Sequence, residues 1–348
     1  MLYKKKIYQL NNEDVYSITI KNNNNYAITF HNYGGYIHSI KIPLKNNNKK
    51  YEDVVLGYGS IKECIKATGY FNSIIGRVGN RISKSQFTLN KNTYKLFNNV
   101  GENHLHGGKE GFNKKVWKIK KINETNNEIS CELEYYSKSL EEGYPGNLYC
   151  TANYILNNKN EFIIKYSAKT DADTLVNMTN HNYWNFHGHG NYYQNITDHS
   201  ITLYSDTVCE NNQFSIPTGK LINVKNTNFD FSKEKNITQE FLDSGGIDNN
   251  YDVGDEFKLK KIAKVYSQIT RMGVEYYSDQ PGVQFYTGNM MANKYEGKEN
   301  RKYGLQYGLC LEPQFFPDAI NQENFCSPIL RANSKYTSTI LMKLFNNF

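Results

Sequence analysis

The chain has 348 residues, a net charge of +7 and 39% apolar residues, enough for one large core or two smaller ones. No run approaches the about 20 apolar residues of a membrane-spanning helix. The basic start Met1–Lys6 leads into Ile7-Tyr8-Gln9-Leu10-Asn11, too short and polar for a signal peptide, so a cytoplasmic protein with no membrane partner is expected. Lys and Arg are scattered among Asn and Glu and form no stripe, so the footprint of a nucleic-acid binder is missing.

Period-two alternation of β-branched or aromatic residues with polar ones begins at Val15–Ile20 and resumes at Tyr26–Phe30, with the turn-forming tract Asn22–Asn25 between them. Ser60-Ile61-Lys62-Glu63 has the form of a capping box and opens a short helix to Ile65. Strands are predicted again at Glu161–Tyr166, Val283–Thr287 and Leu305–Glu312, and a second short helix at Gln239–Leu242, ahead of Gly245-Gly246. Many strands with few helices predict an antiparallel sandwich or barrel. With no linker, no repeat and no shift in strand density, residues 1–348 are expected to form a single domain. The six cysteines include no Cys-x-x-Cys pair and read as free thiols.

Three segments carry groups able to move protons. In Leu305–Glu312, alternation puts Gln306, Gly308, Cys310 and Glu312 on one face, an open floor ending in a carboxylate, and Pro313 is expected to end regular pairing. In Asn177–Asn185, His181 and Tyr183 sit among amides that a core strand would struggle to satisfy, so a binding surface is expected. His106 precedes Gly107-Gly108, where the backbone can turn sharply, and an extended chain would put His104 on the same face. His104 with His106, and His187 with His189, could suggest a metal, but no Cys or carboxylate accompanies either pair in sequence, so no metal site is expected. In Gly76-Arg77-Val78-Gly79-Asn80-Arg81, either guanidinium could bond a ligand oxygen or pair with a carboxylate. Asp248 after Gly245-Gly246, and Gln284 on its strand, are ambiguous by themselves.

Taken in order, Gly34-Gly35-Tyr36, Asp53–Gly57, Ile75–Arg81, His106-Gly107-Gly108, Glu142–Leu148, Asn180–Asn185, Pro281–Gln284, Glu312-Pro313-Gln314 and Phe316–Asn321 resemble the aldose 1-epimerases, or galactose mutarotases, along nearly the whole chain. That resemblance implies a large antiparallel β-sandwich with few short helices. It further implies a sugar cleft, no metal or organic cofactor, and interconversion of α and β anomers of free aldohexoses such as galactose and glucose. Carried over to this chain, Glu312, ionised near neutral pH, is the general base and His181 the general acid; His106 binds substrate and stabilises charge. Asn80, Arg81, Tyr183, Asp248 and Gln284 hold sugar hydroxyls. Many relatives have His where this chain has Asn249, a departure that bears on sugar preference. Two rival readings are a hexose-6-phosphate 1-epimerase, which needs further cationic groups, and a non-catalytic sugar-binding relative.

Overall fold

The alternating segments pair as sheets. In this computed structural model, which describes residues 1–44, 47–189, 195–291 and 297–347, the first two predicted strands are Glu13–Lys21 and Ala27–His31. They pair antiparallel, Ile18 opposite Phe30 and Ile20 opposite Ile28. The asparagine tract between them is a turn for a physical reason. Asn22 Oδ1 accepts from the N–H groups of Asn24 and Tyr26, and Asn25 adopts a left-handed φ of 68°, which Asn tolerates. With Leu2–Leu10, Ile37–Leu44 and Asn47–Asp53 these strands form a five-stranded sheet.

A nine-stranded sheet makes the second layer, its centre formed by Leu148–Asn157, Glu161–Thr170 and Lys335–Asn346. Along Glu161–Thr170 the inward residues Phe162, Ile164, Tyr166 and Ala168 are buried, as period two requires. A further five-stranded sheet runs in the order Pro217–Asn223, Thr207–Asn211, Asp248–Asp252, Gly282–Tyr286, Cys310–Gln314. One apolar cluster joins Phe30 and Ile40 of the first sheet, Tyr154 and Ile164 of the second, and Phe285 and Leu311 of the third. Each such side chain contributes roughly 1.5–3 kcal/mol when fully buried. The result is the expected all-β sandwich.

Both predicted helices are present and short. Ile61–Lys66 starts at Ser60, whose hydroxyl accepts from Glu63 N–H, and Gln239–Asp243 starts at Thr238, which accepts from Phe241 N–H. Among the described residues no helix is long and apolar enough to cross a membrane.

The predicted strand Leu305–Glu312 is corrected. The strand in its sheet begins only at Cys310, because Gln306 takes a φ of 60° and turns the chain beforehand. Pro313 does not end pairing either: the strand continues to Gln314, with Pro313 opposite Val283. This strand is the last in its sheet order, and an edge position lets a residue lacking N–H face away from its neighbour.

Candidate active site

Three strands of the second five-stranded sheet bring polar side chains into line. Asn250 is opposite Gln284, and Gln284 is opposite Glu312. Asp248, at the start of its strand, reaches the same cleft, where Gln284 Nε2 donates to its Oδ1 over 2.7 Å. Glu312 lies on the cleft floor, 2% exposed, and its Oε2 has no hydrogen-bond partner among the described residues.

His181 arrives from the side. The stretch around it is no continuous strand: only Thr179-Asn180 pair regularly, with Ile75 and Ile74. Beyond that point His181 N–H donates to Ser73 O, Asn72 N–H donates to His181 O, and Trp184 exchanges backbone bonds with Leu309. The amides expected to form a binding surface instead stitch backbone together. Asn177 Nδ2 donates to Phe315 O, Asn180 Nδ2 to Asn72 O, and Asn185 Nδ2 to Tyr307 O. This leaves His181 and Tyr183 facing the cleft, their rings stacked at 4.9 Å, with His181 Nε2 3.6 Å from Glu312 Oε1.

The third group comes from a turn. Leu105 pairs with Arg81 on a two-residue ladder, after which His106 adopts a φ of 53° and Gly107 a φ of 85°. That left-handed step breaks the alternation, so His104 and His106 do not share a face. His104 is fully buried, its Nδ1 2.7 Å from Phe97 O and its Nε2 2.7 Å from the Tyr144 hydroxyl. His106 enters the cleft, and its Nδ1 accepts from Asn80 N–H at 3.1 Å. A neutral ring that accepts at Nδ1 carries its proton on Nε2.

Of the two arginines, Arg77 points into the core, where its guanidinium donates to Ser137, Lys138 and Pro145 carbonyls and to the Ser137 and Thr174 hydroxyls. Arg81 lines the cleft, 3.6 Å from Asp248 Oδ2, with Asn80 Oδ1 accepting from its backbone N–H. The cleft therefore gathers Glu312, His181, His106, Asn80, Arg81, Tyr183 and Asp248. Gln284 is 3% exposed and sits behind Asp248, outside the lining.

The chain matches the aldose 1-epimerase family over residues 16–343. The chain belongs to the aldose 1-epimerase family. It is 36% identical to galactose mutarotase of Bos taurus over 87% of this chain and 86% of that one. It is 31% identical to aldose 1-epimerase of Escherichia coli K12 over 92% of each. Among solved structures, a GalM/aldose epimerase homologue from C. elegans superposes with a TM-score of 0.86 at 25% identity, covering 95% of this chain and 99% of that one. Galactose 1-epimerase from Lactobacillus acidophilus shares the fold with a TM-score of 0.85 at 22% identity, covering 100% and 99%.

Electrostatics in this epimerase cleft depart from one expectation. Burial, reinforced by the Asp248 carboxylate and opposed by Arg81, pushes the Glu312 carboxyl well above its ordinary range. Burial also lowers His181 to about 4 and His106 well below the ordinary imidazole value. Both shifts favour a proton on the carboxyl over one on the imidazole.

The sequence pattern missed the cleft's aromatic and thioether wall. Tyr70 stands edge-on to His106 at 4.6 Å, and Tyr286, Met290 and Met291 also line the cleft. Tyr70 lies in a loop and the methionines near a turn, where no periodicity marks them. Asn249, by contrast, is not in the lining; its Nδ2 donates to Cys209 O. Ligand atoms of His106, His181 and Glu312 lie within 4.8 Å of one another, because folding supplies the carboxylate that neither histidine pair has nearby in sequence. His187 and His199 are built into the core: His187 Nε2 lies 2.7 Å from Thr197 O, and His199 Nε2 accepts from Phe186 N–H.

Proposed function

We propose that this protein catalyses the interconversion of α and β anomers of free aldohexoses by opening and closing the sugar ring, as an isomerase without redox chemistry. The observation that carries the reading is the buried, opposed pair His181 and Glu312, 3.6 Å apart in the cleft of an aldose 1-epimerase fold. Ring opening needs a proton taken from the C1 hydroxyl and one given to the ring oxygen. One proton shared by the pair suffices for both. Passed from Glu312 to His181, it leaves a carboxylate to accept from C1–OH and an imidazolium to donate to the ring oxygen. Rotation about C1–C2 turns the other aldehyde face inward, and the reverse transfers close the opposite anomer and restore the pair.

His106 offers its Nε2–H to a sugar oxygen as charge develops. Arg81, Asn80 and Asp248 hold hydroxyls, and the flat rings of Tyr70 and Tyr183 cover C–H faces of the sugar. Gln284 is read as holding Asp248 in place. The whole of residues 1–348 is read as one such domain, supported by a family match that reaches from residue 16 to 343. A cytosolic address is supported by six cysteines present as free thiols, five of them buried.

Galactose, named in several relatives, is the first sugar to test, with glucose beside it. The phosphorylated-sugar alternative is disfavoured because Arg81 is the one Lys or Arg among the described lining residues and already faces Asp248. Polarimetry on fresh α-galactose and α-glucose, in the presence of a chelator, should show accelerated equilibration, with galactose 6-phosphate far slower. A rate equal to the uncatalysed one with both neutral sugars overturns the reading.

A further inference from the structure

His106 enters the cleft from a turn with little regular pairing of its own. The two residues after it are glycines with φ of 85° and 103°, and the ladder before it is two residues long. The ring presents its Nε2–H at a fixed place only if something outside that ladder holds the turn. We propose that Asn99 is a positioning residue for His106, its side-chain amide bracketing the turn and so setting where the imidazole meets the sugar. The inference deepens the proposed function and rests on it for the role of His106; the bracketing itself rests on geometry.

Leu105, next to His106, stands opposite Arg81, while its own N–H and C=O are taken up by Asn99. Asn99 Oδ1 accepts from Leu105 N–H at 2.7 Å, and Asn99 Nδ2 donates back to Leu105 O at 2.9 Å. A carboxamide displays a donor and an acceptor side by side, as a peptide group does, so Asn99 serves where a third strand would. The same Nδ2 lies 3.2 Å from Gly108 O, on the far side of His106, and 3.3 Å from the Tyr70 hydroxyl. Residues 105 and 108 are thereby tied to one point, with His106 between them. Tyr70, edge-on to His106 at 4.6 Å, is tied to it as well.

Asn99 is itself anchored. Its N–H donates to Asn103 O at 3.2 Å, at the base of a turn in which Val100 and Asn103 exchange backbone bonds. Asn80 selects the His106 tautomer, and Asn99 fixes where that ring sits. Asn99 is not among the described lining residues, so its effect on the sugar passes through His106 and the Tyr70 ring against it. An amide that only satisfied loop backbone would stabilise the fold too, but its loss would cost the same whether or not His106 were present.

A double-mutant cycle on the full chain, read by polarimetry with galactose, separates the two roles. Asn99→Ala removes every side-chain contact. Asn99→Asp keeps the shape and the acceptor for Leu105 N–H but offers no hydrogen to Leu105 O or Gly108 O, and it carries the test if Asn99→Ala does not fold. Both changes should lower kcat/KM by about 10–100-fold, the order expected for displacing a group that meets the substrate. In a His106→Asn background they should cost less than about threefold. Parental kcat/KM in a variant with parental circular dichroism, or an equal loss with and without His106, overturns the proposal. Nitrogen NMR reads the placement without catalysis: His106 resonances should shift in the variants while those of His199 stay in place. Unmoved His106 resonances overturn the proposal. Shifted ones, in a protein whose parent does not accelerate equilibration, leave Asn99 in its role and count against the proposed function.

Discussion

Asn80 N–H donates to His106 Nδ1 over 3.1 Å, while His106 N–H donates back to Asn80 O over 3.0 Å. This reciprocal clamp turns Nε2 of the ring, with its proton, into the cleft. The first prediction is that nitrogen NMR finds His106 as the Nε2–H tautomer throughout pH 7–8. Its lowered pKa, caused first by burial, keeps it neutral over that range. A protonated Nδ1 in this window contradicts the clamp and the donor role built on it.

The proton pair makes the second prediction. Glu312→Gln preserves shape and leaves no base, and His181→Asn removes the donor. Either change should lower kcat by about 10²–10⁴-fold while thermal unfolding stays close to the parent. Polarimetry with a folded Glu312→Gln protein running near the parental rate excludes Glu312 as the base.

One shared proton also fixes the pH profile. The singly protonated pair exists above the second protonation, near the His181 value of about 4, and below the raised value of Glu312. The profile of kcat/KM should be a bell whose limbs belong to the pair as a whole. The Asp248 carboxylate is one cause of the raised Glu312 value, so Asp248→Asn should move the alkaline limb to lower pH, whatever it does to affinity. An alkaline limb that stays put in Asp248→Asn contradicts this coupling.

Stability should depend on acidity through a different set of groups. All eight histidines are lowered, chiefly by burial: His31, His104 and His181 to about 4, His38, His189 and His199 to about 3, His106 well below its ordinary value, and His187 as well. Between pH 6.5 and 4 the unfolded chain binds protons that the folded one refuses. The stability these groups contribute is present above pH 6.5 and is lost as pH falls, each titrating group costing up to about 1.4 kcal/mol per pH unit. Glu312 and Asp318, raised by burial, act the opposite way but are two against eight. The melting temperature should fall steeply from pH 6.5 to 4.5; a flat profile there rejects the account.

Gly107 supplies the fifth prediction. At a φ of 85° its added Cβ would collide with Gly76 O, a contact that backbone cannot relieve without moving the turn. Gly107→Ala should destabilise the fold by more than about 1 kcal/mol and displace His106. Denaturant unfolding and polarimetry on the same sample check both effects.

Much of this was legible in the chain, and the exceptions have physical causes. The strand Glu161–Thr170 announced itself because one face is buried and the other is not, and Glu13–Lys21 and Ala27–His31 because β-branched and aromatic residues alternate with polar ones along them. Leu305–Glu312 mimicked that alternation, yet the left-handed Gln306 turns there, and alternation carries no information about φ. The amides near His181 looked like ligand contacts because composition cannot tell a ligand from a neighbouring carbonyl. Arg77 and Arg81 were indistinguishable until the ladder joining Arg81 to Leu105 fixed their directions. Tyr70 and Met290 entered the site only through tertiary packing.

The anchoring of His181 between Ser73 and Asn72 has a consequence for how turnover proceeds. Its backbone is bonded on both sides, and Tyr183 beside it is held by Asn72 Oδ1 at 2.9 Å. The proposed proton donor therefore keeps its backbone position when the sugar arrives, which lowers the reorganisation that ring opening demands. Empty and sugar-filled forms should superpose at His181 and Glu312, and the speed of the cycle should be set by the ring opening itself and not by the opening or closing of a lid.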